Sequence, residues 1–233
     1  MRRRNALPAL LLAPVLALAL FVPAPCALAP ALAQDAPLVP LLSPRLVRDD
    51  PRQLVRQGRE AALRGDQDSA WELLTRAVNS ADMDQRSLAD ALVLRGRLGL
   101  EGAAPRQALA DFRRAVELAP ATSGALAWRA LAWLELARPG PALDDARRAV
   151  TLTPSAALAH LAMGRALLAQ DRPQDALAAL DEALRLDPDL GPARQDRARA
   201  LRALGQPGAA ERDEARAREL SPALPLPLPL PPG

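Results

Sequence analysis

Catalysis needs a nucleophile, a base or a metal, and this chain of 233 residues is poor in all three. Its one histidine is His160 and its one cysteine is Cys26. An imidazole can act as a general base or a ligand, but only beside partners that orient it. A metal centre would need several His, Cys or carboxylate groups converging. The acidic pairs Asp144–Asp145 and Asp181–Glu182 are adjacent in sequence, so on a helix their side chains diverge; they read as a solvated face. No GxxxxGK[ST] stretch offers a cradle for phosphate. The chemistry-bearing residues therefore predict no enzyme, no catalytic residue, no metal and no cofactor. Arginine is the abundant functional group: all 30 Lys and Arg residues are arginine.

The elements that would position these groups begin with a targeting segment. Residues MRRRN form a basic start, ALPALLLAPVLALALFVP an apolar stretch, and Ala31-Leu32-Ala33 a small-x-small cleavage site. Pro8, Pro14, Pro23 and Pro25 interrupt the apolar run, which argues against a membrane span. The reading is a secretory signal over 1–33. An uncleaved anchor, a lipidated Cys26 and cytosolic residence remain the alternatives. Removal of the leader takes away Arg2, Arg3 and Arg4, leaving 27 basic against 27 acidic residues and no cysteine. The basic balance of the whole chain thus belongs to the leader and does not predict nucleic-acid binding. Half the residues are apolar but only 2% are aromatic, so the core must be built from Leu, Ala and Val.

One phrase returns at a fixed interval. RRAVELAP ends at Pro120, RRAVTLTP at Pro154, DEALRLDP at Pro188 and ARARELSP at Pro222, at steps of 34 residues. A second ladder, Pro105, Pro139, Pro173 and Pro207, keeps the same period. Two proline ladders sharing one period predict an internal repeat. The mid-repeat proline suits the first position of a second helix, where its missing N–H costs nothing. The end proline closes that helix. Between them Ala108, Leu109, Phe112, Ala115 and Val116 share one helical face.

Small residues stand at three fixed places in each unit. Position 8 is Gly58, Gly96, Ala130, Gly164 or Ala198; position 20 is Ala70, Ala108, Ala142, Ala176 or Ala210; position 27 is Ala77, Ala115, Ala149, Ala183 or Ala217. With the proline at position 32, this pattern resembles the tetratricopeptide repeat family, over about 51–224. The resemblance implies an all-α, right-handed α-solenoid of about five helix-turn-helix repeats. Their bounds fall near 51–88, 89–122, 123–156, 157–190 and 191–224, after a linker over 34–50 and before a proline-rich tail over 225–233. The first unit is degenerate, with Asp82 in place of the end proline and four extra residues before Ala89. The last has a polar second helix, AAERDEARAREL, as a terminal cap requires.

The resemblance also implies a groove lined by the first helix of each repeat. Position 9 on that helix is Arg59, Arg97, Leu131, Arg165 and Arg199; Arg56 and Arg202 join the set. These six arginines are the candidate site, opposed by Asp90, Glu101, Glu135 and Asp196. The expected function is a non-enzymatic adaptor that holds a protein or peptide partner, with acidic character favoured by the arginines. The expected location is outside the cytoplasm: the periplasm first, with secretion or membrane anchoring as variants. Membrane contact is expected only with an uncleaved leader. The alternatives are a structural or self-associating envelope factor, or an accessory subunit of a larger envelope machine.

Overall fold

The computed structural model describes residues 50–220. The expected leader, most of the linker, Pro222 and the proline-rich tail lie outside the described residues. Among the described residues there are ten α-helices and no strand. They are α1 (Pro51–Leu63), α2 (Gln67–Val78), α3 (Gln85–Glu101), α4 (Pro105–Leu118), α5 (Ser123–Glu135), α6 (Pro139–Leu152), α7 (Ala157–Leu168), α8 (Pro173–Leu186), α9 (Gly191–Ala203) and α10 (Pro207–Leu220). Taken in pairs they make five helical hairpins, an all-α repeat solenoid. None of these helices is long and apolar enough to cross a membrane.

The prolines punctuate the helices as their chemistry demands. Pro105, Pro139, Pro173 and Pro207 are the first residues of α4, α6, α8 and α10. Ala119, Thr153 and Asp187 directly precede an end proline, and each leaves the helical region with φ near −137°, −143° and −136°. That is the restriction a following proline imposes. Each of these residues still donates its backbone N–H to the carbonyl of the position-27 alanine, Ala115, Ala149 or Ala183. The turn inside each hairpin has its own rule. Position 15 has positive φ in all five units: Gly65, Ala103, Ala137, Asp171 and Gly205. The next residue's N–H then reaches back to the position-11 carbonyl, as in Arg138 to Trp133 at 2.9 Å and Arg172 to Leu167 at 3.0 Å. This is a Schellman closure of the first helix. Where glycine is absent, Ala103 and Ala137 carry the strain of a left-handed alanine, of about 1 kcal/mol each.

Small residues let each hairpin close. The alanines at positions 20 and 27 are buried in every unit. A Cβ on Gly58 would sit 2.9 Å from Leu74 Cγ, on Gly96 2.7 Å from Phe112 Cε1, and on Gly164 2.6 Å from Leu180 Cγ. Leu74, Phe112 and Leu180 occupy position 24, directly across the hairpin, and are fully buried. Where position 8 is Ala130, position 24 is the small Ala146. Size is thus traded across each of the first four hairpins, glycine opposite a large side chain and alanine opposite alanine.

Successive helices pack in order from α1 to α10. The odd-numbered helices also touch one another two elements along, α1 with α3, α3 with α5, α5 with α7 and α7 with α9, whereas no even-numbered pair does. One continuous core runs from α4 to α9 through Phe112, Trp128, Leu143, Leu161, Leu180 and Leu190. The extra residues of the first unit form an added turn: α3 starts at Gln85, with Asp84 as its cap. At the other end α10 buries only Ala210, Asp213 and Ala217, leaving a polar outer surface.

Candidate functional site

The position-9 residues all stand on odd-numbered helices, Arg59 on α1, Arg97 on α3, Leu131 on α5, Arg165 on α7 and Arg199 on α9. Arg56 is exposed on α1 and Arg59 is half-buried one turn on. The Arg59 Nε is buried without a hydrogen bond. Arg97 is 6% exposed, with its guanidinium carbon 5.0 Å from the centre of the Trp128 ring. Burial pushes the Arg97 guanidinium down from its usual value; Glu101 opposes that shift and Arg59 adds to it. Glu101 and Asp90 share the same surface. Partial desolvation pushes both carboxyls up, against the pull of Arg97 on the first and of Arg86 and Arg59 on the second, although both residues stay exposed overall.

The C-terminal arginines of the set are differently placed. Asp196 on α9 is 3% exposed and bridges two of them: Arg165 Nε donates to its Oδ2 at 2.7 Å, and Arg199 Nη1 to its Oδ1 at 3.1 Å. Arg202 turns to its own hairpin, where Nη2 meets Glu214 Oε2 at 2.8 Å. Leu131 interrupts the row between Arg97 and Arg165 and is buried. The six candidates therefore fall into two groups. Arg165, Arg199 and Arg202 are bound to acids of the chain itself. Arg56 and Arg59 make no ion pair among the described residues, and Arg97 lies between Trp128 and Glu101.

A second arginine pattern escaped the sequence reading. Arg95, Arg129 and Arg197 stand at position 7, each 16 residues before an aspartate at position 23. Every pair is two-pronged. Arg129 Nε and Nη2 donate to Asp145 Oδ2 and Oδ1 at 2.7 and 2.6 Å; Arg95 grips Asp111 and Arg197 grips Asp213 in the same way. Hydrogen bonding to Asp213 pushes the Arg197 guanidinium upward, and Asp181 adds a further bond at 2.8 Å. Asp145 was expected on a solvated face, and this is corrected: it is 5% exposed, because α6 turns it inward to Arg129 while its neighbour Asp144 stays outside. The signal was an Arg–Asp spacing of 16 repeated in three units. It was hidden because arginine is everywhere in the chain.

The structure is similar to solved repeat proteins. The tetratricopeptide repeat profile matches residues 157–190, the fourth hairpin. Superposition on TTC0263, a thermophilic tetratricopeptide protein of Thermus thermophilus, gives a TM-score of 0.64 at 24% identity, covering 74% of this chain and 92% of that one. The fold is that of tetratricopeptide-repeat proteins. MamA (residues 41 to the end) from Desulfovibrio magneticus RS-1 superposes with a TM-score of 0.56 at 19% identity, covering 75% of this chain and 97% of that one. YrrB, described as a tetratricopeptide protein with an unusual peptide-binding site, reaches 0.50 at 16% identity, covering 73% and 86%. No curated protein matches the sequence. At these identities the likeness is one of fold.

The repeat framework explains His160. It occupies position 4 of the fourth tetratricopeptide unit and is 7% exposed. Its Nε2 lies 2.8 Å from the Pro154 carbonyl oxygen, which can only accept, so Nε2 carries the proton. Nδ1 is buried and makes no hydrogen bond. The ring thus ties the end of the third repeat to the start of the fourth, as a packing residue.

Proposed function

We propose that this tetratricopeptide protein is an exported scaffold that binds an acidic stretch of a partner polypeptide along its odd-helix face, at the Arg56, Arg59 and Arg97 end. The tetratricopeptide fold is in general a protein-interaction module, and one structural relative, YrrB, is described as having a peptide-binding site. The observation carrying the finer reading is the unequal use of the arginine row. An arginine already bound to a buried acid such as Asp196 has little left to offer a ligand. Arg56 and Arg59, with no ion pair among the described residues, can each exchange water for a carboxylate. An exposed ion pair contributes only about 0.2–1 kcal/mol, whereas a desolvated charge-assisted bond contributes about 1.5–3 kcal/mol. Two such bonds, less the cost of ordering a peptide, support micromolar binding at best.

The test is a salt titration of binding against a library of acidic and neutral peptides. Acidic peptides should bind more tightly, and their affinity should fall as salt rises. Arg56→Ala and Arg59→Ala should weaken them and flatten the salt dependence, while Arg199→Ala should leave both nearly unchanged. Binding indifferent to all three substitutions would remove the groove from the proposal. Export is tested separately by sequencing the N-terminus of the protein in its native cell. The proposal expects Gln34 as the first residue in an envelope fraction; an intact leader on a cytosolic protein overturns it.

A further inference from the structure

The crevice between one repeat and the next, on the side away from the arginine row, recurs four times along the stack. At the same places it draws on positions 21 and 25 of one unit and on positions 7, 11, 16 and 23 of the next. Three of the four crevices are plugged by the chain itself. In the first, Arg95 at position 7 stacks over Trp71 at 5.6 Å and grips Asp111. In the last, Arg197 spans Asp181 and Asp213. The second is filled twice over. Arg129 grips Asp145, and beside it Trp133 at position 11 lies between two guanidinium groups, Arg113 at 5.0 Å and Arg138 at 5.8 Å from its ring centre.

The third crevice, between the third and fourth repeats, lacks every one of these plugs. Met163 stands where the other three have arginine, Ala179 where they have aspartate, and Leu167 where the second has tryptophan. The result is a cleft of about 360 Å³ with Leu143, Met163, Leu167 and Ala179 in its lining. That is within the range of sites that hold a small organic group, about 300–1,000 Å³. Yet the two cations that flank Trp133 are kept. Arg147 is the counterpart of Arg113, and Arg172 the counterpart of Arg138; both line the cleft. Arg172 is steadied by Asp175, to which its Nε donates at 2.8 Å. No ion pair of Arg147 is found among the described residues. The third crevice therefore retains a pair of arginines set for an aromatic ring, above an apolar floor, and has no ring among the described residues.

We propose that this cleft receives an aromatic side chain presented by a partner polypeptide, seated on Leu143, Met163 and Leu167 between the guanidinium groups of Arg147 and Arg172. The neighbouring Trp133 is the template for its pose. A second copy of the chain is a poor donor: among the described residues Phe112 and Trp128 are buried and Trp71 and Trp133 are half-buried in crevices of their own. The inference rests on the reading of the chain as an interaction module, but it shares no residue with the arginine row, so each can fail without the other.

The test uses the full chain with methyl-13C methionine, which places one probe, Met163, in the cleft and leaves Met1 and Met83 as controls. The Met163 resonance is assigned by Met163→Leu. Added N-acetyltryptophanamide should shift the Met163 methyl upfield and saturably, through the ring current, with Met83 unmoved. N-acetylleucinamide should do so at least about tenfold more weakly, having no face for the two cations. A pentapeptide, acetyl-GGWGG-amide, should bind no worse than the free indole compound. Leu167→Trp rebuilds the plug of the second crevice and should abolish the titration. Should that variant misfold, Arg147→Ala with Arg172→Ala, both at the surface, should weaken binding about tenfold. Absence of a saturable Met163 shift overturns the proposal, as does equal binding of the leucine compound. Exclusion of the pentapeptide, or indifference to the loss of both arginines, overturns it equally.

Discussion

Gly164 shows how much one absent carbon decides. A Cβ there would lie 2.6 Å from Leu180 Cγ and 2.8 Å from its Cδ2, and Leu180 is fully buried with nowhere to turn. Gly164→Ala should therefore destabilise the fourth hairpin by about 1–3 kcal/mol through overpacking. Gly124→Ala is the control. Apart from its chain neighbours nothing lies within 4 Å of its would-be Cβ, so the gain in helix propensity should leave stability level or raise it by less than about 1 kcal/mol. Urea unfolding of the two variants, compared at equal slope, reads the difference. The small-residue ladder was legible in the sequence at this scale. Its partner was not: nothing in the sequence said that position 24 would shrink to Ala146 opposite Ala130, because the two meet only when the hairpin closes.

Hairpins differ in what fastens them. Three carry a two-pronged Arg–Asp pair, and the fourth has Met163 and Ala179 instead. Arg129 and Asp145 keep only 17% and 7% of their side-chain surface, so breaking the pair from one side strands a charge. Arg129→Met should destabilise by about 3 kcal/mol or more. Adding Asp145→Ala reproduces the composition of the fourth hairpin and should recover most of that loss, which a double-mutant cycle by urea unfolding would show. The start of α3 behaves differently with pH. The backbone N–H and the hydroxyl of Ser87, and then Arg52, hold the Asp84 carboxyl at about 2. Its folded value lies below its unfolded one of about 3.9, so the stabilisation is complete above about pH 5 and is lost progressively as pH falls through 2 to about 1. Asp84→Ala should lower the melting temperature near pH 6, and most of the gap from the parent protein should be gone by about pH 2. A gap that is as wide at about pH 2 as near pH 6 would assign the effect to something other than the cap.

Across the whole stack, stability is a chain of neighbour contacts, and the ends must face water. The tenth helix serves that purpose. It covers Ala198 and Leu201 with Ala210 and turns Glu211, Arg212 and Arg218 outward. Removing residues 207–233 should uncover this apolar patch and drive self-association, seen as larger species in sedimentation velocity than the full chain gives at the same concentration. Truncation that leaves the size distribution of the remainder unchanged would deny α10 its role as a cap.

Helix number, hairpin bounds and the packing face were written locally, in proline ladders and in alanines at positions 20 and 27. A proline ends a helix, and an alanine permits close approach, whatever the rest of the chain does. The arginines could not be sorted that way. Thirty identical cations are equivalent along a sequence, and only folding decides which one meets a carboxylate. Asp196 comes from the fifth repeat to Arg165 in the fourth, and Asp145 turns inward where its neighbour Asp144 does not. Charge pairing acts through space between elements, so it was settled by the tertiary structure, along with the cleft at the third crevice, which no described residue fills.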